Sequence, residues 1–384
     1  MKTILASCIL WAALVNPIFG QNVFNAGFAF VGDFSQNEAR YPFASRFLKE
    51  IDSETKQPVL EMALGSQIKT LKRTDIKFNE GLGETGSGDS LAIAFALTEE
   101  SIEEASWGSD ILTVYRVIAQ ILIFDITERK VIANFPAMAQ YQNVSEQKLT
   151  LSEHEETFRK IYLDDEFGAN IFKEWVGRLE SVPVKPSYKN YLKVSKIEID
   201  EAVKKIIPSE LAAGGIYEAQ TAQILEFYLG SIQQVPMVPY TKGQAIGAKI
   251  PARFANGDSY QLQLPDPDYA IEVLVRPFKH IKKEKSRVEQ LAFGAFITLT
   301  LKQPDFNKIY VQSKFKNINI VSFPKSEEIV IDHWFGYQQS LRKLFSDLAT
   351  QISNRDKKVL SKMTKTENIK KQLQKFEEIL DKCR

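Results

Sequence analysis

Apolar and polar positions in this chain alternate with strand-like and then helix-like spacing, and that succession occurs twice. Residues 110–126 (DILTVYRVIAQILIFDI) form a β-rich apolar run, followed by polar Thr127-Glu128-Arg129-Lys130 and a second run, VIANFPAMAQY, at 131–141. Downstream, VEQLAFGAFITLTL at 288–301 is followed by Lys302–Lys308 and then IYVQSKFKNINIVSF at 309–323. Each stretch predicts a strand, a polar turn and a second strand. Within the last run, Ile309, Val311, Phe315, Ile318 and Ile320 are read as one apolar face, with slips. A shorter strand precedes each hairpin, at Leu91–Leu97 and Ala270–Val275. An amphipathic helix follows each, around Phe167–Leu179 in the first stretch and about Trp334–Ile352 in the second.

The front ends correspond in order. VFNAGFAFVGDF (23–34) and YLKVSKIEIDEAV (191–203) predict strands, and helices are expected over roughly Pro58–Leu71 and Tyr217–Ile232. The order strand, helix, strand, strand, strand, helix is therefore given twice. Val182-Pro183-Val184-Lys185-Pro186 lies between the copies as a stiff linker. The expected class is α/β (α+β), with two tandem, related mixed-sheet domains whose helices cover the sheets. Its divisions are 21–182, a linker at 183–190, 191–352, and a basic amphipathic C-terminal helix over 353–384.

The chain opens with Lys2, an apolar run from Ile4 to Val15, a break at Asn16-Pro17 and small Gly20. That order predicts a secretory signal peptide over residues 1–20, too short for a transmembrane helix of about 20 residues. Leu5-Ala6-Ser7-Cys8 has the form of a lipoprotein box, although most of the apolar core follows the cysteine. Removal of residues 1–20 leaves only Cys383 and so no internal disulfide, which fits a bacterial periplasm or cell surface.

The 384 residues carry 49 Lys+Arg against 48 Asp+Glu, and this balance argues against a nucleic-acid binder. No catalytic, cofactor or metal motif survives. Gly81–Gly88 has G-x-G-x-x-G spacing but opens a predicted strand rather than a helix, so it reads as a turn. His154, His280 and His333 have no ligand-like spacing, and the two nearest helix starts, His154 and His333, read as solvent-exposed. Asn143-Val144-Ser145 matches a glycosylation sequon that is idle in most bacteria.

Charge does separate the copies. The connection before the first hairpin holds Glu99, Glu100, Glu103 and Glu104, while the corresponding one holds Lys279, Lys282, Lys283, Lys285 and Arg287. Opposite charges at equivalent places point to head-to-tail contact between chains or to separate partners, against the plainer reading of two solvated loops. In the tail, Ile369, Leu373, Phe376 and Leu380 form one apolar seam. That seam suits packing on the second domain, a coiled coil between chains, or an anionic membrane surface.

Element order, together with VFNAGFAFVGDF and VYRVIAQILIFDITERKVI, resembles the periplasmic α/β units of the TolB amino-terminal domain and the curli-secretion CsgG group. The resemblance implies a fold and an envelope setting. The chain departs from the CsgG pattern in lacking obvious barrel-forming segments. The expected role is a non-catalytic, exported envelope protein that binds or assembles through protein contacts, by self-association or with a partner. The alternative is a periplasmic enzyme or small-ligand binder with a site between the domains, rimmed by residues 81–88 and 263–268.

Overall fold

A computed structural model describes residues 21–31, 37–80, 91–107, 110–212, 214–241, 249–254, 259–284, 288–324 and 332–384. The first half comprises β1 (Gln21–Val31), α1 (Asn37–Arg40), α2 (Pro42–Lys49), α3 (Val59–Ile68), β2 (Ile76–Glu80), β3 (Leu91–Trp107), β4 (Asp110–Asp125), β5 (Lys130–Ser145), α4 (Leu151–Leu163) and α5 (Ile171–Ser181). The second comprises β6 (Leu192–Ile199), α6 (Glu201–Lys204), α7 (Ser209–Ala212), α8 (Ile216–Gln233), β7 (Lys249–Phe254), β8 (Ser259–Gln263), β9 (Tyr269–Glu284), β10 (Val288–Gln303), β11 (Lys308–Pro324), α9 (His333–Asn354), α10 (Lys357–Met363) and α11 (Ile369–Cys383). This is a mixed α/β chain with two sheets, and among the described residues no helix is long and apolar enough to cross a membrane.

The two sheets repeat one connectivity. In the first, β1 lies parallel to β3, and β3, β4 and β5 run antiparallel. In the second, β6 lies parallel to β9, and β9, β10 and β11 run antiparallel. Strands β4 and β10 are offset by 178 positions at both ends (288 less 110, and 303 less 125). The irregularities match too. The parallel pairing skips Ala26 in β1 and Ser195 in β6. The third residue of the last strand, Ile132 or Tyr310, bulges out of the ladder in each copy. Each connecting turn ends on a left-handed residue, Arg129 (φ 51) and Asn307 (φ 47). Bulges re-aim the side chains that follow them, so three matched irregularities keep the same positions facing the helices in both sheets.

The surroundings of the sheets differ. Helices α2–α5 cover one face of the first sheet, over Phe28, Phe95, Tyr115, Ile121 and Phe135. Its other face is sealed at one end by the β7–β8 hairpin from the second half. Phe254, Ile250 and Leu262 lie there on Ala92, Ala94 and Ala96. Because β8 pairs with β5 and β7 pairs back to β1, the first sheet closes on itself. The rest of that face meets α8, where Gly230 allows close approach: an added Cβ would sit 2.6 Å from Pro136 Cδ. Among the described residues the second sheet is covered on one face only, by α8, α9, α10 and α11.

Several sequence expectations are corrected. The acidic stretch after Leu97 is not a loop, because β3 continues to Trp107 along β4, and β9 likewise continues to Glu284 along β10. The tail is two helices. Arg355 is left-handed and ends α9. After α10, Thr364 is extended and Ser313 bonds the hydroxyls of Thr364 and Thr366, which breaks the run. Helices α2 and α4, and strands β2, β7 and β8, were not expected from the pattern. Residues 1–20, the glycine-rich 81–88, Lys285 and Arg287 lie outside the described residues.

Candidate interaction face

The bulge at Thr98 resets β3, so its acids fall alternately on the two faces. Glu100 and Glu104 point to the helix side. Glu100 accepts hydrogen bonds from Phe43 N (2.9 Å), Ala44 N (3.0 Å) and the Tyr162 hydroxyl (2.9 Å), capping the start of α2. Burial pushes its carboxyl up to about 7 although those three donors oppose the shift. Glu104 lies 3.8 Å from His154 Nε2 and 3.7 Å from Lys148 Nζ.

Glu99 and Glu103 point to the other face, into the seam between the two halves. Arg116, 1% exposed, donates to Glu103 at 2.9 Å and lies 3.6 Å from Glu99. Arg342, on α9, donates to the same Glu103 oxygen at 2.8 Å. Burial alone would raise the Glu103 carboxyl, but Arg342 and then Arg116 outweigh it and hold it at about 2. Gln140 accepts from Arg116 Nη2 at 3.2 Å. Two cations and two anions therefore neutralise one another where the second half docks on the first sheet. These acids form an internal joint and not the exposed acidic connection expected from sequence.

The matching face of the second sheet is open. Successive rows across β9, β10 and β11 read Lys279–Gly294–Ile318, Ile281–Ala292–Ile320 and Lys283–Gln290–Ser322. Ile281, Ile318 and Ile320 are 58%, 51% and 58% exposed. Side chains two apart on a strand share a face, and adjacent strands lie about 4.8 Å apart, so these three form one apolar patch. Lys279, Lys283 and Lys314 are exposed on the same side, with Arg276 and Lys316 half-buried beside them. The expected grouping of Ile318 and Ile320 with Val311 and Phe315 is therefore corrected. The core side continues through Ser313, Phe315 and Asn317, which puts the two isoleucines on the solvent side.

The other expected site residues are dispersed. Lys282 points to the opposite face and pairs with Glu289 at 2.7 Å. Ile369, Leu373, Phe376 and Leu380 are buried in the second core, as is Cys383, which leaves the tail seam with no exposed face. Each of the first two histidines meets a tyrosine: His154 Nδ1 lies 2.9 Å from the Tyr115 hydroxyl, and His280 Nδ1 lies 2.7 Å from that of Tyr337. The His333 ring lies 4.1 Å from that of His280 at a tilt of 38° and is exposed at the start of α9, as expected, whereas His154 is half-buried, which corrects the expectation of a solvent-facing histidine there. Among the described residues no group of three or more His, Cys, Asp or Glu side chains is placed to hold a metal ion. Arg116, Arg342 and the isoleucine patch were missed. Two isoleucines out of phase after Phe315 were the available signal for the patch.

No family model matches the chain, and no curated protein matches it. Among solved structures, a minor lipoprotein from Acinetobacter baumannii is similar at 14% identity, over 47% of this chain and 98% of that one, with a TM-score of 0.21. A DUF330 protein from Xanthomonas campestris is similar at 11% identity, over 47% and 92%, with a TM-score of 0.22. A protein described as a neuraminyllactose-binding hemagglutinin homolog, from Helicobacter pylori, is similar at 12% identity, over 47% and 94%, with a TM-score of 0.24. None of these three carries the TolB or CsgG description, and at such scores none of them carries an argument about function.

Proposed function

We propose that this chain is a non-catalytic protein of the bacterial cell envelope, exported by its first twenty residues, that binds or assembles through a sheet face. The observation that carries this reading is the contrast between the two equivalent faces. One is buried and holds its charges in mutual pairs, while the other presents three exposed isoleucines framed by lysines. An apolar patch rimmed by charge is the ordinary composition of a protein-binding surface. The two halves act in this reading as related modules joined at the proline linker, with α10 and α11 completing the second core.

Cell fractionation followed by crosslinking and affinity capture tests the proposal. The protein is expected in the envelope fraction, without residues 1–20, and crosslinked through lysines of the second sheet. Recovery in the cytoplasm with residues 1–20 intact would overturn it.

A second reading, a small-ligand binder between the halves, is favoured by one observation. Asn134, on the β5 face that meets α8, is 1% exposed and its side-chain amide makes no hydrogen bond. Glu226, one turn from Gly230 on α8, is also buried and makes no well-formed hydrogen bond through its carboxylate. Burial pushes its carboxyl up to about 8, with Lys193 pulling the other way. A small-molecule screen by thermal shift, repeated on Asn134→Ala, tests this reading. A hit that Asn134→Ala leaves unchanged would count against it.

A further inference from the structure

The connectivity repeat tells what kind of surface suits the open face. In the first sheet, the row Glu103–Val114–Gln142 and its neighbour Ser101–Arg116–Gln140 are roofed by helices of the unit that follows, with α9 delivering Arg342 and α8 delivering Gly230. The same rows of the second sheet are Ile281–Ala292–Ile320 and Lys279–Gly294–Ile318. Helices α9, α10 and α11 pack on the other face of that sheet.

We infer that the open face of the second sheet receives the helix layer of the first half of a second copy of this chain, in a head-to-tail contact. This deepens the binding role proposed above by naming the partner. The helix layer has the composition for it. Residues 151–166, which cover α4 and the turn into α5, hold six acids against two bases. Asp164, Asp165 and Glu166 stand exposed together on that turn. Leu151, at the head of α4, is 64% exposed and adds an apolar group to the same layer. The receiving face carries Lys279, Lys283, Lys314 and Lys316 around its isoleucines. Opposite charge steers the encounter, and the desolvated isoleucines hold the complex. Because the two surfaces differ, each copy keeps one free surface of each kind, so the contact propagates.

Sedimentation velocity on the purified protein over a concentration series, at low and high salt, tests the inference. Mass should rise above the monomer with concentration at low salt and fall back at high salt. Two variants, Ile318→Lys with Ile320→Lys, and Asp164→Lys with Asp165→Lys and Glu166→Lys, should each stay monomeric. Mixed together they should form a one-to-one dimer and nothing larger, since each retains the surface the other lacks. Circular dichroism and melting confirm that each variant is folded. As a second route, Lys279→Glu with Lys283→Glu should abolish association, and adding the three acid-to-lysine changes should restore it. A wild type that is monomeric throughout, an association untouched by both variants, or a mixture that fails to dimerise would overturn the inference. A monomer that still captures a different envelope protein through this face ends the inference and leaves the binding role. Self-association of a protein found outside the envelope does the reverse.

Discussion

Strands β4 and β10 occupy the same place in the same connectivity, yet they are packed differently. In β4 every residue from Thr113 to Phe124 is buried, whereas β10 alternates buried and half-buried positions over most of its length. A sheet covered on both faces reads as an unbroken apolar run, and one covered on a single face reads as alternation. Connectivity does not decide which pattern applies. What lies beyond the second face decides it. The first sheet has the β7–β8 hairpin and α8 there, while among the described residues nothing covers the second.

The sharpest test of this contrast is the buried joint. Arg116→Ala leaves Glu99 and Glu103 without their shared cation inside the seam, and about 3–5 kcal/mol of stability should be lost. Equilibrium denaturation measures this, and a loss below about 1 kcal/mol would show that the seam is wet rather than desolvated. Next comes a matched pair of positions. Leu122 is fully buried and Thr300 holds the corresponding place on the open face. Leu122→Ala should cost about 2–5 kcal/mol, while Thr300→Ala should stay within about 0.5 kcal/mol. Comparable losses at both would erase the distinction between the sheets.

Gly230→Ala pushes a methyl against Pro136 and should destabilise by about 1–3 kcal/mol, most visibly as earlier separation of the halves in limited proteolysis. The last effect is a slope with pH. The folded state favours the neutral Glu226 carboxyl, so its stabilising contribution is complete below the unfolded value of 4.5 and is lost as pH rises to about 8. Glu100 acts with the same sign between 4.5 and about 7. Melting temperature should therefore fall from pH 5 to pH 9 in the wild type and fall less in Glu226→Gln. Equal slopes would show that Glu226 is solvated.

Sequence pattern located the paired hairpins and the main helices because long apolar runs and i, i+4 stripes are local signals. It missed what depends on distance. Strands β7 and β8 are short, and their partners in β1 and β5 lie more than a hundred residues upstream. The joint between Glu103 and Arg342 spans 239 positions. Helix α4 was legible in principle, since Thr150 and Glu153 form a capping box, but its polar outer face hid the stripe. The charged stretches were found as compositions and misplaced as loops, because like charges along a strand point to opposite sides.

The β7–β8 hairpin imposes an order of events on a chain made from its amino terminus. Residues 21–182 can leave the ribosome or translocon complete in sequence and still leave the alanines of β3 uncovered, because the strands that close over them are β7 and β8. The first half is thus finished late, well into synthesis of the second. A fragment cut at the proline linker would have to be guarded by a chaperone or lost to proteases.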